Sequence, residues 1–173
     1  TEADVRSERF ANHDADVQLK NFGDLLSITR PDAIVEIHRL YLEAGADIIE
    51  TNTFNASPVG MAEYRLPAEL MREINLAAVR NAKRAVQIYA HAHPGSPQKF
   101  VAGSIGPTTQ QTAISTRVDD PAWRGVTFTE MAESYYQQVA ALMEAGVDIL
   151  FPETVIDTLN LKACLFGISR YFE

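Results

Sequence analysis

From Thr29 onward the chain alternates amphipathic segments with short apolar runs. The first amphipathic segment, TRPDAIVEIHRLYLEAG from Thr29 to Gly45, predicts a helix. Thr29 and Asp32 have capping-box spacing, and Pro31 is tolerated in a first turn because its missing N–H has no intrahelical partner there. Ile34, Ile37, Tyr41 and Ala44 recur at helical spacing, and Gly45 offers a left-handed stop. ADIIETNTF, Ala46 to Phe54, follows as a short run rich in strand formers. A polar connection, NASPVGMAEYRLP, leads to a second helix from about Ala68 to Ala90, whose stripe is Met71, Ile74, Ala78, Ala82, Ala85 and Tyr89. HPGSP ends it, and KFVAGSIGP, Lys99 to Pro107, reads as a second strand. After a long polar stretch from Thr108 to Val126, Thr127 and Glu130 form another capping-box pair and open a third helix ending near Gly146. VDILFPET, Val147 to Thr154, is a third strand, and a last helix starts near Asp157 and runs to Glu173. The N-terminal TEADVRSERFANHDADVQLK is polar and charged throughout and supplies no strand.

Strand and helix alternate with about fifty residues per unit, which predicts an α/β fold of parallel strands joined by helical crossovers. Glu43-Ala44-Gly45-Ala46-Asp47-Ile48 and Glu144-Ala145-Gly146-Val147-Asp148-Ile149 repeat the same helix-to-strand joint two units apart. That recurrence suits a partial (β/α)8 TIM barrel with about three βα units visible, although a doubly wound sheet can show it too. Three strands do not close such a barrel, so residues 1–173 are expected to be the N-terminal portion of one, incomplete at both ends.

Composition narrows the function classes. A formal charge of −8 without clustered Lys and Arg argues against a nucleic-acid partner. No apolar run approaches the roughly 20 residues that span a bilayer, so no membrane partner is expected and a cytoplasmic protein is. The single cysteine, Cys164, excludes an internal disulfide and a multi-cysteine metal site within the chain.

In parallel α/β folds the working face lies at the C-terminal ends of the strands. Thr51-Asn52-Thr53-Phe54, Ser104-Ile105-Gly106-Pro107 and Glu153-Thr154 sit there. A carboxylate at Glu153, ending an apolar strand, can bind an ammonium group, act as a base or hold a metal; its bland alternative is an ion pair at the barrel end. Glu50, earlier in its strand, reads as a structural ion pair. Thr51, Asn52 and Thr53 suit a small polar ligand, yet Thr belongs in strands on propensity alone, which leaves Asn52 the stronger hint. The four histidines have no metal-ligand spacing, Cys164 reads as a packed thiol, and Trp123 either covers a pocket or anchors its own loop.

RSERF, NFGDLLSITRP, EAGADIIETNTFNAS, VAGSIGPT and PETVIDTLNLKA occur in that order, and together they resemble the N-terminal, homocysteine-binding (homocysteine S-methyltransferase) domain of cobalamin-dependent methionine synthase. The resemblance implies methyl transfer to the thiolate of homocysteine, giving methionine, with methylcobalamin as donor. It implies a zinc ion held by three cysteine thiolates that lie on later strands of that family, and cobalamin and folate modules of the same full-length chain as partners. With the zinc ligands missing, this chain alone is expected to be inactive and no residue of it is assigned as catalytic. By the same pattern Glu153 grips the homocysteine amino group, and Thr51, Asn52 and Thr53 line the mouth. Departures fall near that mouth: GPTTQQT at Gly106–Thr112 where the family commonly has GPTNRT, Phe22-Gly23 where it usually has two asparagines, and Pro152 before Glu153.

Competing functions are a stand-alone homocysteine methyltransferase with a sulfonium or betaine donor, a barrel lyase using Glu153 as general acid/base, and a non-catalytic α/β fragment.

Overall fold

The computed structural model describes residues 1–173. Its elements in chain order are α1 (Glu2–Arg6), α2 (Leu26–Thr29), α3 (Pro31–Glu43), β1 (Ile48–Glu50), α4 (Pro58–Ala62), α5 (Leu70–Ala92), β2 (Phe100–Ile105), α6 (Phe128–Glu144), β3 (Ile149–Pro152) and α7 (Thr158–Phe172). The strands form one parallel sheet in the order β1-β2-β3, in register Glu50↔Ala102 and Ser104↔Phe151. The α/β alternation read from the sequence is therefore the architecture.

Each joint of the repeated EAG(A/V)DI unit behaves as its glycine requires. Gly45 (φ 102°) and Gly146 (φ 83°) turn the chain through the left-handed region, and the next residues enter a strand at once. The following aspartates then serve the sheet differently. Asp148 accepts the Val101 N–H at 2.8 Å and pairs with Lys83, whereas Asp47 pairs with Lys99.

One face of the sheet is covered. Ile49, Val101 and Ile105 pack against Val35 and Leu42 of α3, Val79 and Ala82 of α5, and Val139 and Leu142 of α6. Leu42 is fully buried, so its truncation to Ala should cost about 2–5 kcal/mol. Thr127 and Glu130 form the expected capping box of α6.

Four expectations change. Thr29 does not cap α3: it ends α2, its hydroxyl donating to the Leu25 carbonyl at 3.1 Å, and α3 begins after Arg30 without a side-chain cap. The buried stripe of α3 is Ile34, Val35, His38 and Leu42, leaving Ile37 and Tyr41 exposed. Two stripes of similar apolarity overlap on that helix, and packing against α5 selects the one that reaches Leu42. The strands are shorter than their apolar runs, because Thr51–Phe54 turn away after a single ladder bond from Thr51 N to Ala102 O. Finally, the polar N-terminal stretch is built into a second core. Val5, Leu19, Phe22 and Leu25 bury against Met61, Leu70, Met71 and Ile74, while Arg6 donates to the carbonyls of Phe10, His13 and Val17.

Candidate functional site

Side chains alternate across a strand, so the register decides which residues share a face. Ile48 and Glu50 stand beside Phe100 and Ala102, and Ala102 and Ser104 stand beside Ile149 and Phe151; Asn52 and Glu153 follow in the same alternation just past the ends of β1 and β3. No helix covers this face: Ile48 is 52% exposed and Phe151 40%. Its polar groups gather at the C-terminal end, as expected for a parallel sheet.

Glu153 is half-buried at the end of β3. Its N–H donates to the Ile105 carbonyl at 3.1 Å, and its carboxylate accepts a short hydrogen bond from the Ser104 hydroxyl. Ser104 is buried on β2, so it aims the carboxylate from below. The sequence places Ser104 among the strand ends without singling it out, since a serine in a strand gives no signal until its neighbour is known. The next residue, Thr154, has φ 52°, an uncommon conformation for a residue with a Cβ.

Asn52 lies across the sheet. Its amide Nδ2 donates to the Gly23 carbonyl at 2.8 Å and to Ser27 Oγ at 3.2 Å, which leaves Oδ1 as a free acceptor. Thr51 and Thr53 are buried and committed elsewhere. Their hydroxyls bond each other at 2.7 Å; Thr51 Oγ1 accepts the Ser104 N–H, and Thr53 Oγ1 donates to the Ser104 carbonyl. They shape the rim from behind.

Glu50 forms no ion pair, contrary to the expectation for it; it is exposed on the same face. Partial desolvation and the charge of Glu153 push its carboxyl above the usual value. None of the residues on this face is basic, so the face presents acceptors only: two carboxylates and one amide oxygen.

Asp24, in the NFGDLL motif, is a further carboxylate that the sequence pattern does not flag. It is buried and accepts the Asn55 N–H at 2.8 Å, fastening the loop that follows β1. Burial pushes its carboxyl up to about 6. Behind Glu153, the Asp157 carboxylate caps α7. Burial opposes its ionisation, but the N–H groups of Ala113, Leu159 and Asn160 outweigh that and hold it below the usual range.

The residues present do not fit a three-thiolate zinc site. Cys164, the sole thiol, is buried and pushed up to about 12 by burial, and no three His, Cys, Asp or Glu side chains group together. His38 is a packed histidine whose Nε2 has no partner, and burial lowers its basicity. Trp123 stacks under Arg117 at 4.5 Å within its own loop, which makes it a loop anchor. No helix is long and apolar enough to cross a membrane.

Residues 5–171 match the family model described as homocysteine S-methyltransferase. Solved structures of the homocysteine methyltransferase MmuM from Escherichia coli are similar in fold. The metallated form aligns with TM-score 0.72 and 22% identity over 99% of this chain and 57% of that one. The oxidized form gives 0.70 and 25% over 84% and 49%, and the apo form 0.66 and 22% over 86% and 49%. The chain thus spans about half the length of these structures.

Proposed function

The chain belongs to the homocysteine S-methyltransferase family, and from that premise we propose that it supplies the homocysteine-binding rim for methyl transfer to the substrate thiolate. In that transfer the sulfur forms a bond to the methyl carbon, the donor leaves with the electron pair of its broken bond, and methionine is the product. The observation that carries the proposal is the acceptor-only face. An α-ammonium group brings three N–H donors and a positive charge, and charge-assisted bonds to a carboxylate are the strong ones.

Glu153, held by Ser104, accepts the ammonium group, and Asn52 Oδ1 offers a further acceptor from across the sheet. Thr51 and Thr53 contribute by fixing the β1–β2 rim. The donor set of these residues does not hold zinc. For the donor, the ordered motifs EAGADIIETNTFNAS and PETVIDTLNLKA favour methylcobalamin, with cobalamin and folate modules as partners. A sulfonium or betaine donor is the second reading, which the family match leaves open because it specifies no donor. Both donors deliver to the same thiolate, so the role of Glu153 is common to them.

Calorimetric titration of the chain with homocysteine tests the proposal. Glu153→Gln keeps the shape and removes the charge, and should weaken binding by about tenfold or more, the worth of a hydrogen bond to a charged group. Unchanged affinity would remove Glu153 from the site.

A further inference from the structure

The segment that carries Glu153 is short of packing. Val155 is 47% and Ile156 71% exposed, and beneath them, between Glu153, Tyr135 and Asn160, lies a cavity of about 20 Å³, room for about one water. Side-chain packing therefore does not fix the path from Glu153 to α7. Hydrogen bonds do, and they come from the loop that leaves β2.

Two side chains at the start of α7 make these ties. Asp157 Oδ1 caps the helix, accepting the Leu159 N–H at 2.7 Å and the Asn160 N–H at 3.3 Å. Its other oxygen, Oδ2, accepts the Ala113 N–H at 2.9 Å. Asn160 Oδ1 accepts both the N–H (3.1 Å) and the hydroxyl (2.8 Å) of Thr112, and Asn160 Nδ2 donates to the Gln110 carbonyl at 2.9 Å. Residues 110–113 are thus fastened to the first turn of α7. At the other end, Ser104 and Ile105 hold Glu153 itself.

We propose that Asp157 and Asn160 are positioning residues for the homocysteine rim: they lock the β2 loop to α7 and thereby set where Glu153 meets the substrate ammonium. The inference rests on the function proposed above. It assigns Asp157 two separable jobs, one per oxygen. Capping serves the helix, and the bond to Ala113 serves the site.

Asp157→Asn separates them. Asparagine caps as well as aspartate, so Oδ1 keeps the helix. Its NH₂ then faces the Ala113 N–H, donor against donor, and the tie is lost. Asn160→Asp does the same at the Gln110 carbonyl, acceptor against acceptor. Thr112→Val removes the hydroxyl bond to Asn160 Oδ1 from the loop side, leaving every residue of α7 and its cap unchanged.

The test measures three quantities on the chain and these variants: thermal midpoint, amide exchange at Thr112 and Ala113, and homocysteine affinity by calorimetry. The expected result is a midpoint within a few degrees of the parent, exchange at the two amides faster by about tenfold or more, and affinity down by about tenfold, as lost single hydrogen bonds imply. Faster exchange with unchanged affinity would overturn the inference and leave the proposed function standing. Unaltered exchange would also overturn it, since the tie would then not hold the loop. A parent chain that does not bind homocysteine removes the function and the inference together. If Asp157→Asn does not fold, the affinity of Thr112→Val decides by the same criterion.

Discussion

The loop that leaves β1 and the loop that leaves β3 flank the same bare face of the sheet, yet they are held in different ways. Behind β1, Asn52, Thr53 and Asn55 are tied to Gly23, Ser104, Gln138 and Asp24, and Ala56 is fully buried beneath them. Behind β3, Thr154 has a left-handed backbone, Val155 and Ile156 face solvent, and the ties lie only at the two ends, Glu153 and Asp157. Each side thus offers one acceptor to a ligand, but the Asn52 side is a fixed wall and the Glu153 side is a span between two anchors. A rim built this way holds one contact by packing and hydrogen bonds together, and the stronger, charged contact by hydrogen bonds at its anchors alone.

The largest effect should come from crowding the fixed wall, the loop that leaves β1, against β2. Gly106 sits where β2 passes the Phe54 loop, and an added Cβ would lie 2.5 Å from the Phe54 carbonyl oxygen and 2.8 Å from its ring. Gly106→Ala should cost about 3 kcal/mol or more, the upper end for overpacking, because backbone has to move; a denaturant midpoint close to the parent's would show that the β1 loop yields easily.

Next is Asp24, the anchor of the fixed wall. Its folded value of about 6 lies above the ordinary 3.8, so the unfolded chain ionises first as pH rises. Stability from this group is full below about pH 4, falls between about 4 and 6, and is constant above. Across that window Asp24→Asn should gain on the parent by about 3 kcal/mol, because each pH unit between the two values is worth about 1.4 kcal/mol. Parallel pH–stability curves would contradict a carboxyl buried without a counter-ion.

Thr53→Val tests the wall more gently. It deletes the donor to the Ser104 carbonyl and leaves buried acceptors unmet, so a loss of about 1–3 kcal/mol is expected in urea unfolding. The smallest effect belongs to the span: Thr154→Gly relieves a positive φ and should change stability by no more than about 1 kcal/mol, in the favourable direction. If it destabilised as much as Thr53→Val, the contrast between the loops would be lost.

The sequence made the frame legible because local chemistry decides it. Gly45 and Gly146 stop helices, Thr127 and Glu130 cap one, and apolar runs between them have nowhere to go but a shared sheet. It misled where two local patterns compete and tertiary packing chooses. Ile37 and Tyr41 are as helical in spacing as Val35 and His38, and only contact with α5 separates them. The polar look of residues 1–20 hid apolar side chains spaced without period, Val5, Phe10, Val17 and Leu19 among them, which meet only in three dimensions. At the site, Asn52 and Glu153 were legible as strand-end residues, while the partners that aim them were not. Ser104, Gly23 and Ala113 act through a hydroxyl, a carbonyl and an N–H, groups too common along a chain to stand out in a one-dimensional pattern.

Whether acceptors on the bare sheet face take the ammonium group of homocysteine is decided by comparing homocysteine with 4-mercaptobutanoate, which has the same chain, thiol and carboxylate but no amino group. The chain should bind homocysteine at least about tenfold more tightly, and Glu153→Gln should remove most of this preference. Equal affinity for the two thiols in the parent chain would contradict it.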